Sequence, residues 1–147
     1  MMKKTALCFM SLAALTGCTT SLPASSPAPP LPTLTVEDRP VSAFQSSYCW
    51  SSDGKDSCVD FIPPVLQVRT ETPTVVPSQA TLNIRFATPP KPGTLHVYEW
   101  IGDNETKPVE VHDSAFTLSK NKGLHIYSFS AEWEEGSAYY VCKVYTQ

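Results

Sequence analysis

The chain has 147 residues, enough for one small domain with a hydrophobic core, and contains 11 Lys or Arg against 14 Asp or Glu. Two of the basic residues and none of the acidic ones precede residue 18, so the remainder has nine basic and 14 acidic side chains, a net charge of −5. This balance argues against a nucleic-acid partner, because phosphates require clustered Lys and Arg.

The first residues have the organisation of a secretory signal. Lys3 and Lys4 precede an apolar run over 5–14, which is about half the length needed to span a membrane, and Leu15-Thr16-Gly17-Cys18 follows. The pattern resembles the lipobox of bacterial lipoproteins. In that family the peptide is cut before the cysteine and the cysteine sulfur carries a diacylglyceryl group. The resemblance implies a signal peptide over 1–17, lipid on Cys18, and membrane attachment on the extracytoplasmic face of the cell membrane, or in an outer membrane where there is one. The alternative is an N-terminal helix in which Cys18 is a core thiol.

Residues 18–33 are predicted to be the lipidated cysteine and an extended tether. This stretch is almost entirely Thr, Ser, Ala and Pro and carries no charge. Proline favours extended geometry, and the small polar side chains bury too little area to fold. The folded domain is therefore expected over 34–147, with a hairpin segment at 34–64 and a sandwich at 65–147.

A disulfide-linked hairpin is predicted around Asp53-Gly54, a preferred type I′ turn pair. With these two residues as the loop, Cys49 lies directly opposite Cys58 at a non-hydrogen-bonded pair, where Cα atoms are about 4.5 Å apart. An oxidising compartment favours the bond. A reactive redox pair is the alternative, and a bond from Cys142 to either cysteine also stays open, although the last strand's alternation favours Cys142 as a buried free thiol.

The same hairpin resembles that of a group of small bacterial lipoproteins, mainly from Gram-positive bacteria. They carry Tyr-Cys-Trp, a short turn and Cys-Val-Asp before a β-rich domain. The matching residues here are Tyr48-Cys49-Trp50 and Cys58-Val59-Asp60. The resemblance implies a fold and no particular reaction.

Short runs with a period of two continue along the chain. They predict strands over 65–70, 80–86, 95–101, 109–112, 116–118, 124–133 and 139–145, separated by Pro-, Gly- and Asn-rich turns. About seven short strands at near-regular spacing indicate an all-β fold, an immunoglobulin-like β-sandwich preceded by the stapled hairpin. A jelly roll or a small barrel is the alternative. In the last strand, alternation assigns Lys143 to the solvent-exposed face.

No motif for chemistry is present. The histidines, His96, His112 and His125, lie in separate runs, and no serine has a nucleophile setting. We therefore expect no enzyme activity, no cofactor and no metal. The alternative is an envelope enzyme or metal-handling protein whose site is assembled from scattered residues.

The sequence contains more aromatic side chains than the core between two packed sheets requires. Tyr98, Trp100 and Trp133 are candidates for a binding face, for a protein or glycan partner, because Tyr and Trp give large contact area at low entropic cost. The other explanation is that the hairpin and residues 33–45 cover them. The sequence thus predicts a lipid-anchored protein that acts by binding or by structural presence.

Overall fold

Two facing β-sheets contain most of residues 28–147, the residues that the computed structural model describes. The smaller sheet has four strands in the order β2 (Arg39–Val41), β1 (Thr33–Val36), β6 (Thr81–Arg85) and β9 (Ala115–Thr117). The larger has seven: β4 (Lys55–Val59), β3 (Ala43–Ser52), β11 (Gly136–Thr146), β10 (Gly123–Glu132), β7 (His96–Trp100) and β8 (Thr106–Val109) in order, with β5 (Thr74–Val76) parallel to the end of β11. The predicted all-β sandwich is confirmed.

The seven strands after residue 65 have an immunoglobulin-like arrangement. Strands β11, β10, β7 and β8 are neighbours in one sheet while β6 and β9 pair in the other, as the G, F, C, C′ and B, E strands do in variable-type domains. The hydroxyl of Tyr127 in β10 accepts a hydrogen bond from the backbone N–H of Ser119 at 2.9 Å, the contact known as a tyrosine corner.

The N-terminal strands complete this sandwich rather than standing apart from it. Strand β1 pairs with β6, β3 pairs with β11, and the hairpin β3–β4 therefore extends the larger sheet. The sequence did not predict β1, β2 or β5, which are only three or four residues long.

The register predicted for the hairpin is confirmed. Asp53 and Gly54 have φ angles of 52° and 72°, as a type I′ turn requires. Cys49 is paired with Cys58, the two form a disulfide, and their Cα atoms are 4.1 Å apart. Gly136, the first residue of the neighbouring strand β11, packs directly against this hairpin. Its φ is +152°, and a Cβ there would overlap the carbonyl oxygen of Cys49, so the β3–β11 approach requires glycine.

The core lies between the inner faces of the two sheets. Alternation in β10 directs Tyr127, Phe129 and Ala131 inward, each 1% exposed. At one end of the core, aromatic rings meet edge to face or tilted, with centroids 5.0 to 5.5 Å apart, among Trp50, Phe86, Trp133 and Tyr140.

Two expectations on the opposite face of the larger sheet are wrong. Residues 65–70 do not form a strand: Pro63 and Pro64 begin a short helix, α1 (Pro64–Gln67), because proline is favoured in the first turn. Lys143 is not solvent-exposed but 8% accessible, and its ammonium donates to the carbonyls of Val68, Arg69 and Glu71 at 2.8 to 3.0 Å. The chain after β4 crosses over this face and covers it.

Candidate functional site

Tyr98 and Trp100 lie together on the outer face of the larger sheet. In β7, Val97 and Glu99 point inward and are buried, so the alternate residues point outward. Tyr98 is 40% exposed and Trp100 is half-buried. The structure thus brings two of the three predicted binding residues onto one surface.

These side chains form one side of an open groove of about 560 Å³. Serine hydroxyls and Tyr139 form its floor, the segment between β4 and α1 forms the opposite side, and the β7–β8 loop closes one end. We call it the aromatic groove. Its lining residues are Ser46, Ser47, Phe61, Ile62, Pro63, Pro64, Tyr98, Trp100, Asn104, Thr106, Ser128 and Tyr139.

A β-bulge shapes the floor of the aromatic groove. Strand β11 pairs Ala138 with Tyr48 and Tyr140 with Gln45, so Ser46 and Ser47 together oppose the single residue Tyr139. In a regular strand two consecutive side chains point to opposite faces, whereas a bulge redirects one of them. Both serines consequently line the groove.

Backbone contacts hold the opposite side in place. The N–H of Phe61 donates to the hydroxyl of Ser47 at 3.0 Å. Further along, the side-chain amide of Gln67 donates to the carbonyl of Gln45 at 2.6 Å. Together with Lys143, these contacts fix residues 61–64 beside the sheet, with Phe61 and Ile62 exposed.

One hydrogen bond sets the orientation of the Trp100 ring. Its indole Nε1 donates to the hydroxyl of Ser128 on β10 at 2.9 Å. Because the ring is fixed before any ligand arrives, binding against its face costs less ordering entropy than binding to a mobile side chain.

The aromatic groove carries no formal charge. None of its lining residues is Asp, Glu, Lys, Arg or His. A second depression of about 520 Å³, on the smaller sheet, is different, since Asp38, Arg85 and Asp113 line it. The groove is therefore suited to an uncharged ligand.

Trp133 lies in the core and not in the groove. It continues the inward parity of Phe129 and Ala131, is 4% exposed, and packs edge to face on Trp50 and Phe86. Its indole nitrogen donates to the carbonyl of Thr88 at 2.9 Å. The prediction that Trp133 belongs to a binding face is corrected. The alternation of inward and outward side chains in β10 continues for one residue past the end of the strand, and this directs Trp133 into the core.

The most closely packed titratable groups form a cluster at the edge of the core. The buried Glu99 carboxylate is 2.7 Å from Nδ1 of His125 and 2.8 Å from Nζ of Lys107. His125 also contacts the carbonyl of Asn121 at 2.9 Å through Nε2. His96 and His112 are elsewhere, and His112 pairs with Glu110 at 3.2 Å. Within residues 28–147, no three His, Cys, Asp or Glu side chains are grouped as a metal site would need.

The three cysteines of the domain have different environments. Cys49 and Cys58 are exposed and joined. Cys142 is a fully buried free thiol, and burial raises its pKa from 9.0 to about 12. A thiol that stays protonated is a poor nucleophile, so Cys142 behaves as a small core residue.

The sequence did not single out Tyr139 or residues 61–64, which supply five of the twelve lining residues. Tyr139 could have been found from the sequence, because the alternation of side chains in β11 places it on the outer face of the sheet. Phe61-Ile62-Pro63-Pro64 had none, because nothing local shows which face of a distant strand it covers.

The predicted lipid attachment residue, Cys18, and the predicted signal at 1–17 lie outside the described residues. Among residues 28–147 there is no helix with the length and hydropathy needed to cross a membrane. No family model, curated protein or solved structure matches the chain.

Proposed function

We propose that the chain is a lipid-anchored extracytoplasmic protein that acts by binding, without chemistry of its own. Cys18 attaches it to the membrane, and the aromatic groove holds its partner. The single observation that carries the binding role is the exposed aromatic lining of a pre-shaped groove.

Four of the ten large exposed apolar side chains of residues 28–147 line this groove. Phe61, Ile62, Tyr98 and Tyr139 are 40% to 57% exposed, and all four line it. Contiguous apolar surface of this kind usually marks a contact site, because leaving it in water gives a folded monomer no stability.

The anchor is supported by the sequence pattern that ends at Cys18. Cys18→Ser should abolish metabolic labelling with palmitate and leave uncut precursor in the cell. Labelling that persists in this variant would refute the anchor and leave the binding role unaffected.

Site-specific photocrosslinking in intact cells tests the binding role. A benzophenone amino acid replaces Tyr98 in one variant and Tyr145 in the other. Tyr145 is a matched control, since it is 44% exposed, is also an outward-facing aromatic of the larger sheet, and does not line the groove.

We expect adducts of increased mass from position 98 and none above background from position 145. Equal labelling from both positions would contradict a dedicated site. As a check on folding, Tyr98→Ser should shift the thermal midpoint by only a few degrees, whereas Trp133→Ser should lower it by roughly 10 °C or more, since large-to-small core substitutions cost about 3 kcal/mol or more.

A further inference from the structure

We infer that the ligand of the aromatic groove is a neutral oligosaccharide. This inference rests on the proposed binding function and names the chemical class of the partner. Three properties of the groove lead to it: its lack of charge, its arrangement of aromatic faces, and its open hydroxyl and amide groups.

The charge of the lining restricts the ligand first. An acidic polysaccharide, a phosphorylated ligand or a charged peptide segment would require an opposite charge to replace lost hydration. The groove offers only hydroxyls, one amide, prolines, Ile62 and aromatic rings. Its ligand therefore carries no formal charge along the part that is bound.

The aromatic side chains lie on one side and on the floor of the groove. Tyr98 and Trp100 stand on β7 and Tyr139 on β11, and Ser128 lies between them on β10, in register with Tyr98. Two strand spacings, about 10 Å, separate β7 from β11. Sugar rings present apolar C–H faces that stack on aromatic rings, and such a channel accommodates a chain of rings.

The polar groups of the groove match hydroxyl groups. Ser46 and Ser47 line the groove beside the bulge, and the Ser47 hydroxyl accepts a hydrogen bond from the N–H of Phe61. Asn104 and Thr106 supply an amide and a second hydroxyl at one end. Each of these side chains both donates and accepts, as sugar hydroxyls do.

A proline-rich peptide is the other uncharged class that binds aromatic grooves. Such a peptide exposes carbonyls in need of donors, and the donors of this groove are hydroxyls, one amide and one indole N–H. That of Trp100 is already given to Ser128. The ring of Trp100 is thus available for stacking and its N–H is not, which favours the oligosaccharide.

Tryptophan fluorescence of the purified full chain tests the inference. A detergent without a sugar head group is used, and the probes are cellotetraose, chitotetraose, maltotetraose and laminaritetraose. Trp50 and Trp133 are 8% and 4% exposed, so the signal should come from Trp100. We expect at least one tetrasaccharide to change the emission saturably and Trp100→Phe to abolish the change.

Matched variants then locate the site. Tyr98→Ser and Tyr139→Ser should each weaken binding of that tetrasaccharide about tenfold, the loss expected for one aromatic stacking partner. Ser46→Ala should weaken it less, and Tyr145→Ser should leave it unchanged. An equal effect of Tyr145→Ser would overturn the assignment.

Two further outcomes separate this inference from the proposed function. If no tetrasaccharide binds while a synthetic peptide of residues 19–32 does, the sugar inference is wrong and a groove for peptides remains. If neither binds but photocrosslinks form at position 98 in cells, the sugar inference is again wrong and the binding role stands. Absence of both binding and crosslinks refutes both.

Discussion

Trp100 and Ser128 are joined by a hydrogen bond from the indole Nε1 to the serine hydroxyl, 2.9 Å across the β7–β10 pair. The contact is diagonal, since Trp100 is in register with Ile126 and Ser128 with Tyr98. It uses the polar atom of the tryptophan and leaves the ring at the groove. The hydroxyl of Ser128 therefore orients the Trp100 ring, which is part of the apolar surface that we assign to binding.

Removing this hydrogen bond should impair binding more than stability. In Ser128→Ala the half-buried Trp100 loses a single hydrogen bond, worth about 1 kcal/mol to folding. The ring becomes free to reorient, so we expect several-fold weaker binding of the tetrasaccharide identified above, with a thermal midpoint within a few degrees of the parent. Ser128→Thr keeps the hydroxyl and serves as the control. An unchanged affinity in Ser128→Ala would show that the bond does not orient the ring for binding.

The Cys49–Cys58 disulfide is exposed on the hairpin and should be reducible without denaturant. Because it closes a loop of sequence separation 9, replacing both cysteines with Ala should cost about 2 to 3 kcal/mol on the closure-entropy model. Peptide mapping under non-reducing conditions should show Cys49 joined to Cys58. Cys142 should react with a thiol reagent only after unfolding. Finding Cys142 in the disulfide would contradict the observed register.

Lys143 should control the side of the groove that residues 61–64 form. Its ammonium is the shared donor for three carbonyls of the covering segment. Lys143→Met keeps the length of the side chain but leaves these carbonyls without it, at a cost of about 2 kcal/mol. Hydrogen exchange should accelerate at the backbone amides of Leu66, Val68 and Glu71 before it does in β10. Uniform acceleration throughout the domain would mean that the segment does not open separately.

The buried acids of the core predict alkaline unfolding. Burial raises the pKa of Cys142 to about 12 and also raises the pKa of Tyr127 and of Tyr140. Below about pH 8 these groups are protonated in both the folded and the unfolded chain, so their contribution to stability is complete.

Above about pH 8.5 the thiol ionises in the unfolded chain, and above about pH 9.5 the tyrosines follow. Stability falls by about 1.4 kcal/mol per pH unit for each group ionised only in the unfolded chain. Melting curves at pH 7, 8.5, 9.5 and 10.5 should show the decline. Cys142→Ala should reduce the slope of this decline between pH 8.5 and 9.5, where most tyrosine hydroxyls are protonated even in the unfolded chain. An unchanged slope would indicate that the thiol is not protected by burial.

The hairpin could be predicted in full because its information is local. Asp53-Gly54 specifies the turn, the turn specifies the register, and the register places Cys49 opposite Cys58. The alternation of apolar and polar residues in β7 and β10 also predicts which side chains point inward. It correctly places Tyr98 and Trp100 on one face.

What could not be predicted depends on residues far apart in the chain. Alternation shows on which face Lys143 lies but not that residues 68–71 cover that face. The apolar residues within 65–70 have the pattern of a strand, but Pro63 and Pro64, which precede them, favour the start of a helix. The bulge opposite Tyr139 arises from pairing between β3 and β11, about 90 residues apart, and no local pattern announces it.

The most direct test of the binding role is a hydrogen–deuterium exchange footprint of the full chain, with and without isolated cell envelopes. We predict protection in the peptides that contain Ser46 and Ser47, residues 61–64 and residues 98–106, which together supply most of the lining of the aromatic groove. Peptides of β6 and β9 on the smaller sheet should exchange at the same rate in both samples. Protection confined to the smaller sheet, or no protection anywhere, would contradict the account.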